Sequence, residues 1–282
     1  MIKNIGIIGQ GFVGGSITKF FKDKTPTHTF DLNGNCNCKS LKDLVNKSEL
    51  IFVCLPTPMY EDGSCDLSII KNTIKEIEEI KSNKIIVIKS TVVPGTTQDL
   101  INLHHNNIVF NPEFLTEANA ANDFKMQDRI ILGGEGKALD MCNKFFSFHF
   151  CNAKIVLCSP TEAELVKYVT NTYLTTKVAY ANEIYDICQF LGVDYNNLSQ
   201  IFTLDKRLGL AHWSVPGPDG KRGYGGSCFP KDINALINFA KENNIPTPVL
   251  DNVWKRNITI DRKEQDWKNL VGRAVSKKDE VN

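Results

Sequence analysis

A chain of 282 residues is long enough for about two domains with buried cores. Its 33 basic and 32 acidic side chains leave a net charge of +1, which argues against a nucleic-acid-binding surface. No apolar run reaches the ~18 residues of a membrane helix and the N-terminus lacks a charged-then-apolar secretory pattern, so a soluble, cytoplasmic protein is expected. The nine cysteines are odd in number and scattered, as reduced thiols would be. Only Cys36 and Cys38 lie close together, so no metal site is expected.

Residues 3 to 8 read as a short buried strand, followed by Gly9-Gln10-Gly11-Phe12-Val13-Gly14 and a helix through Ile17, Phe20 and Phe21. That order of strand, glycine turn and helix is what a dinucleotide-binding fingerprint requires. Gly9 permits the tight turn, Gly11 the approach of backbone to pyrophosphate, and Gly14 the packing of helix on strand. The unpaired amides at the start of the helix, around Phe12 and Val13, suit an anion. A second strand, Thr27 to Phe30, ends in Asp31. Two readings of Asp31 stand: it bonds a ribose 2′-hydroxyl, which favours NAD over NADP, or it caps a turn with Asn33 and Gly34.

Further strand-like runs at Leu50 to Leu55, Lys84 to Ile88, Ile108 to Phe110, Arg129 to Leu132 and Ala153 to Leu157 alternate with helical segments. This predicts an α/β fold, an N-terminal Rossmann domain with a doubly wound parallel sheet, whose ligands lie beyond the carboxyl ends of the strands. Three loops leave the sheet there. They carry Pro56 and Thr57, then Ser90 and Thr91, then Glu113, Phe114, Leu115 and Glu117. The hydroxyls among them are equally suited to forming turns.

At Ser159 the pattern changes. Ser159-Pro160-Thr161-Glu162 is a capping box, and a helical period continues to Gly192, about 32 residues or ~48 Å. The expected division is a Rossmann domain over 1–158, an all-α central domain over 159–275 and a flexible tail over 276–282, with the long helix spanning both domains. Lys167 and Asn171 share one face of it. They are either a solvated charge and its neighbour or, facing a cleft, a pair that stabilises an oxyanion. A second helical region, Asp194 to Trp213, carries Lys206 and Arg207.

A loop rich in Pro and Gly then delivers Gly223 to Asp232, which reads G-Y-G-G-S-C-F-P-K-D. Pro230 is placed to open a helix through Ile233, Leu236, Ile237 and Phe239. Cys228 then sits at the positive end of that helix and near Lys231, features that favour a nucleophilic thiolate. Glycines at 223, 225 and 226 leave room for a substrate at the sulfur. An inert cysteine in a flexible loop is the alternative. After Pro246-Thr247-Pro248, one last amphipathic helix is predicted from Val249 to Ala274.

Together these motifs resemble the UDP-glucose/GDP-mannose dehydrogenase family, and within it the UDP-glucose 6-dehydrogenase branch. The markers are the Gly9 to Gly14 fingerprint, P-T-P-M at 56 to 59 with Asp62, Gly63, Ser64 and Asp66, K-S-T-V-V-P-G-T-T at 89 to 97, N-P-E-F-L-T-E at 111 to 117, Lys167 with Asn171, and the Cys228 stretch. The resemblance implies a four-electron, NAD-dependent oxidation of a sugar-nucleotide primary alcohol, UDP-glucose, to the uronic acid. It makes Cys228 the nucleophile, Lys167 and Asn171 the oxyanion stabilisers, Asp232 and Thr91 the holders of a proton-accepting water, and Glu117 the base of thioester hydrolysis. It places Gly9, Gly11, Phe12, Val13, Gly14, Asp31, Pro56, Thr57, Ser90, Thr91, Glu117 and Lys231 at the cofactor. Glu113, Phe114, Leu115, Lys167, Asn171, Tyr224 and Gly225 fall to the sugar nucleotide, with Arg207 reaching the partner's sugar in a homodimer. The family usually carries a third, C-terminal domain that closes over the nucleotide, so a separate chain supplying it is a candidate partner. The connection from Asp31 to Leu50 is also shorter than the family's. Two other readings are a two-electron 3-hydroxyacid dehydrogenase of the 6-phosphogluconate type, which has no use for Cys228, and a non-catalytic NAD-binding dimer.

Overall fold

The computed structural model describes residues 2–34, 36–104, 107–116 and 119–277. Seven strands, β1 (Ile5–Ile8), β2 (Thr27–Phe30), β3 (Leu50–Val53), β4 (Ile85–Ile88), β5 (Ile108–Phe110), β6 (Arg129–Gly133) and β7 (Lys154–Cys158), form one sheet in the order β2-β1-β3-β4-β5-β6-β7. β1, β3 and β4 are buried at every residue, as strands covered on both faces must be. The cover comes from α1 (Phe12–Phe21), α2 (Leu41–Lys47), α3 (Ser68–Ile80), α4 (Thr96–Leu103), α5 (Ala120–Lys125) and α6 (Gly136–His149). Alternation along β3 sends Ile51 and Val53 to a core with Leu44, Ile70 and Ile74, and Leu50 and Phe52 to an opposite core with Phe21, Phe145 and Phe146.

The order of the strands reverses at β1, where Ile8 pairs with Phe30 on one side and Val53 on the other. That is the topological switch point, and loops leaving β1 and β3 diverge there. The sheet departs from the all-parallel expectation at one place: β5 meets β6 antiparallel, through the single pair Phe110 and Gly133, while β6 and β7 run parallel to each other. The cause lies in the connection between them. Its helix, the six-residue α5, packs on α1 and so does not serve as the crossover that a parallel return needs.

The chain divides into two compact units, Met1–Thr57 with Asp66–Lys167, and Pro58–Cys65 with Tyr168–Asn282. The sheet and α1 to α6 belong to the first. Helix α7 (Pro160–Leu191) is 32 residues long and contributes to both. Its capping box is formed: the Ser159 amide and hydroxyl donate to Glu162 Oε2 at 2.8 and 2.7 Å, and the Glu162 amide returns a bond to Ser159 Oγ at 3.3 Å.

The second unit continues with α8 (Tyr195–Phe202), α9 (Phe229–Glu242) and α10 (Pro248–Arg256). Here two helical expectations fail. The region from Asp194 to Trp213 is helical only to Phe202, with a 3-10 turn at Lys206–Leu208. The last helix stops at Arg256 and gives way to a turn of π-helix over Asn257–Asp261 and a 3-10 turn over Asp266–Asn269. Asn257 and Asp261 are both buried. Asn257 bonds the backbone of Tyr224, and Asp261 pairs with Arg222 at 2.8 Å and Arg256 at 2.9 Å. Those tertiary bonds override the helical period that the side chains display. The loop 58–65 joins this unit through the chain's end: the Met59 amide donates to the Ala274 carbonyl at 2.9 Å and the Ser276 amide to the Met59 carbonyl at 2.8 Å, beside the buried Trp267.

Candidate functional site

In the first unit, β1 ends in the fingerprint turn. Gly9 has φ 86°, and a Cβ there lies 2.3 Å from the Cys54 carbonyl; a Cβ on Gly14 lies 1.8 Å from the Gly9 carbonyl. Turn and packing therefore demand glycine at both positions. At Gly11 nothing lies within 4 Å of a Cβ, and no side chain caps the helix that starts at Phe12 and Val13. Open space over uncapped amides fits a pyrophosphate.

Asp31 directly follows β2, and its carboxylate accepts from the Gln10 amide at 2.5 Å and the Asn33 amide at 2.7 Å. The turn-capping bond therefore exists, and the other oxygen ties β2 to the fingerprint. The next two loops are knitted by their hydroxyls. Ser90 Oγ accepts from the Leu55 amide at 2.9 Å, and the Thr57 hydroxyl, next to Pro56, donates to the Thr91 carbonyl at 2.7 Å. A cavity of about 500 Å³ lined by Phe12, Gly15, Ser16, Lys19, Asn119 and Asn122 opens beside α1.

Lys167 closes this unit, and at 4 % exposure it is no solvated charge. Its Nζ donates to Glu113 Oε1 at 2.9 Å and to the Glu113 carbonyl at 2.7 Å. The other carboxylate oxygen accepts from the Leu115 amide at 2.9 Å. Burial disfavours the charge on Glu113, but Lys167 outweighs it and holds the carboxyl below its ordinary range. The Phe114 ring lies 5.7 Å from Lys167 Nζ and 4.8 Å from the Arg129 guanidinium. Glu117 lies outside the described residues.

Two further groups in this unit, Lys89 of the 89 to 97 motif and Glu164, are assigned no role by the sequence. Lys89, at the end of β4, donates to Asn111 Oδ1 at 2.7 Å, and burial pushes its pKa down to about 8. The available signal was a lone charge directly after four apolar strand residues. Glu164, on α7, accepts from the amides of Gly95 and Thr97 at 2.6 and 2.7 Å and so caps α4, holding the loop that begins at Ser90. Its spacing from Lys167 puts it on the same helix face.

In the second unit, Cys228 is the residue before α9, with Pro230 in the first turn. One turn on, Asp232 is 1 % exposed. Its carboxylate accepts from Asn171 Nδ2 at 2.5 Å and from Lys231 Nζ. Burial opposes the charge of Lys231, yet the Asp232 carboxylate beside it holds its pKa above the ordinary lysine value. Tyr224 is buried, with its ring among Ile233 and Val253 and its hydroxyl donating to the Val253 carbonyl at 3.5 Å. Arg207 is exposed and forks onto Asp205 at 2.5 Å.

Packing alone demands glycine at two of the three positions 223, 225 and 226. A Cβ on Gly223 lies 2.3 Å from Asn257 Oδ1 and one on Gly225 lies 2.5 Å from Arg262 Nη2; only Gly226 has nothing within 4 Å. Neither Asn257 nor Arg262 was anticipated, because both lie in the segment read as a plain amphipathic helix.

A glycine fingerprint at the switch point of a largely parallel sheet, followed by a helical unit, defines a Rossmann-type dinucleotide-binding protein. Residues 25–146 match the NAD binding domain, and residues 161–259 the central domain, of the UDP-glucose/GDP-mannose dehydrogenase family, and the chain belongs to that family. It is 39 % identical over 221 residues to a UDP-glucose 6-dehydrogenase of Rickettsia bellii, covering 76 % of this chain and 50 % of that one. It is 34 % identical over 232 residues to the UDP-glucose 6-dehydrogenase of Pseudomonas aeruginosa, covering 77 % and 50 %. The chain thus spans about half the length of the curated relatives it matches. A UDP-glucose dehydrogenase from Pyrobaculum islandicum superposes with a TM-score of 0.81 at 26 % identity, over 91 % of this chain and 68 % of that one. A 3-hydroxyisobutyrate dehydrogenase from Mycobacterium tuberculosis, at 16 % identity and a TM-score of 0.73 over 90 % and 92 %, shares the fold.

Proposed function

We propose that the chain carries out the four-electron oxidation of UDP-glucose to the uronic acid, with Cys228 as covalent nucleophile. The observation that carries this reading is the start of α9, where Cys228 is followed one turn on by a buried Asp232 whose carboxylate is held by Asn171 and Lys231. The names of the relatives supply the substrate class.

Gly9 to Gly14, Asp31 and the loops with Pro56, Thr57, Ser90 and Lys231 would hold NAD, which when bound would supply the hydride acceptor. Asp232 and Thr91 hold the water that takes the alcohol proton as the first hydride leaves. The Cys228 thiolate then adds to the aldehyde carbon, and the oxyanion formed is stabilised by Lys167 and Asn171. Loss of a second hydride from the same carbon leaves a thioester. Glu117 takes a proton from water, the new C–O bond forms, the C–S bond breaks, and Cys228 returns as a thiolate. One alcohol, two NAD and one water give one carboxylate, two NADH and three protons.

Glu113, Phe114, Leu115, Tyr224 and Gly225 are proposed to hold the sugar nucleotide, with Arg207 acting from a second copy. Exposed Tyr173, Tyr180, Ile187 and Phe190 on α7 support a homodimer built on that helix. The functional division is the Rossmann domain over 1–158 and the central domain over 159–275. No described helix is long and apolar enough to cross a membrane, and a cytoplasmic site belongs to the same proposal.

The test is NADH release by the purified chain given NAD and, separately, UDP-glucose, GDP-mannose and 6-phosphogluconate. Turnover of UDP-glucose supports the reading. A single NADH from 6-phosphogluconate, indifferent to Cys228→Ala, would replace it with two-electron chemistry. NAD binding without turnover of any of the three would favour the non-catalytic dimer.

A further inference from the structure

We propose that Asn257, seconded by Asn182, is a positioning residue for Cys228, clamping the backbone of the loop that delivers the thiol. The inference rests on the reading of Cys228 as the nucleophile. Asn257 is 1 % exposed and its carboxamide bonds both backbone groups of Tyr224: Oδ1 accepts from the amide at 2.9 Å and Nδ2 donates to the carbonyl at 3.0 Å. One side chain thereby pairs with the loop as a neighbouring strand would. Few side chains can do so, since the pairing needs an acceptor and a donor on one short planar group.

Asn182, on α7, holds the preceding residues. Its Oδ1 accepts from the Gly223 amide at 3.3 Å and Arg222 Nε at 3.1 Å, while its Nδ2 is fixed by the Val178 carbonyl at 2.9 Å. Successive amides of the loop are therefore gripped from two different elements, α7 and the π turn. Turns of π-helix recur at functional sites, and this one brings Asn257 to the loop.

Steric fit points the same way. Gly223 has φ 64° and no room for a Cβ beside Asn257 Oδ1, and Gly225 has none beside Arg262. Arg262 is itself pinned by Asp219 at 2.6 Å and Asp266 at 2.7 Å. The loop is thus fixed as far as Gly225. Gly226, with φ 74° and open space, turns the chain into Ser227 and Cys228. Releasing the clamp four residues upstream moves the sulfur relative to the start of α9 and to Lys231.

The test is iodoacetamide alkylation of the full chain across a pH series, read at Cys228 by peptide mass mapping with the exposed Cys151 as internal control. In Asn257→Asp, which keeps the size and the acceptor but not the donor, and in Asn182→Ala, the pH midpoint at Cys228 should rise by about one unit, a roughly tenfold loss of thiolate at a fixed pH. Cys151 should not change. A folded variant with an unmoved Cys228 midpoint overturns the inference, whatever its melting temperature, because a merely structural role shifts only the latter. A paired assay reads NADH per sugar, expected to fall from two toward one in Asn257→Asp as aldehyde escapes before capture. If the wild-type chain oxidises no sugar, the alkylation result still decides the clamp, so the two claims fail separately.

Discussion

A buried lysine needs a counter-charge, and Lys167 finds it in Glu113. Removing one partner strands the other, which costs about 3 kcal/mol or more. Glu113→Gln should therefore lower unfolding stability by that order in urea titrations, and adding Lys167→Met should recover part of the loss; a neutral single variant would contradict the pairing. Glu164 gives a pH signature. Burial raises its pKa from 4.5 to about 7 despite two amide bonds. Between those values the folded chain keeps a proton that the unfolded chain has released, so this group's contribution is full below pH 4.5 and is lost as pH rises through 7. The melting temperature of the wild type should accordingly fall relative to Glu164→Gln across that window, and a constant difference would count against it. At this scale the sequence showed the helical spacing of Lys167 and Asn171 and the glycines of the fingerprint, because both follow from local geometry. It did not show that Gly223 and Gly225 yield their space to Asn257 and Arg262, since those partners arrive from more than thirty residues away.

Elements were legible where burial and capping agree. The apolar runs of β1, β3, β4 and β5 and the capping box of α7 are local signals, and the structure has them close to where the pattern puts them. Cap chemistry also sets α8, where Asp194 accepts from the Asn196 amide at 2.8 Å. Asp194→Ala should cost about 1 kcal/mol in the same titration, with no change in the first unit's unfolding. The antiparallel entry of β6 and the end of α10 were not legible. Both are decided by tertiary partners: α5 chooses α1, Asn257 chooses the 222–224 loop, and Asp261 chooses Arg222 in that loop and Arg256 at the end of α10. The segment after α10 then bonds Met59. Truncation after Leu270 should expose Trp267, now 1 % exposed, and shift its fluorescence to longer wavelength; an unchanged spectrum would show that the pairing with Met59 is dispensable.

For the whole molecule, the family assignment rests on matches to an NAD binding domain and a central domain, and the relatives are about twice as long as the stretch they share with this chain. The proposed dimer predicts that Phe190→Glu, at a position 90 % exposed on α7, converts a dimeric species to a monomer in light scattering; a wild-type monomer would remove it. The most direct test of the account is the stoichiometry of oxidation: NADH formed per UDP-glucose consumed, in the wild type and in Cys228→Ala. We predict two in the wild type, with release of the uronic acid, and loss of the second equivalent in the variant. Two NADH per sugar in Cys228→Ala would contradict the covalent mechanism at its centre.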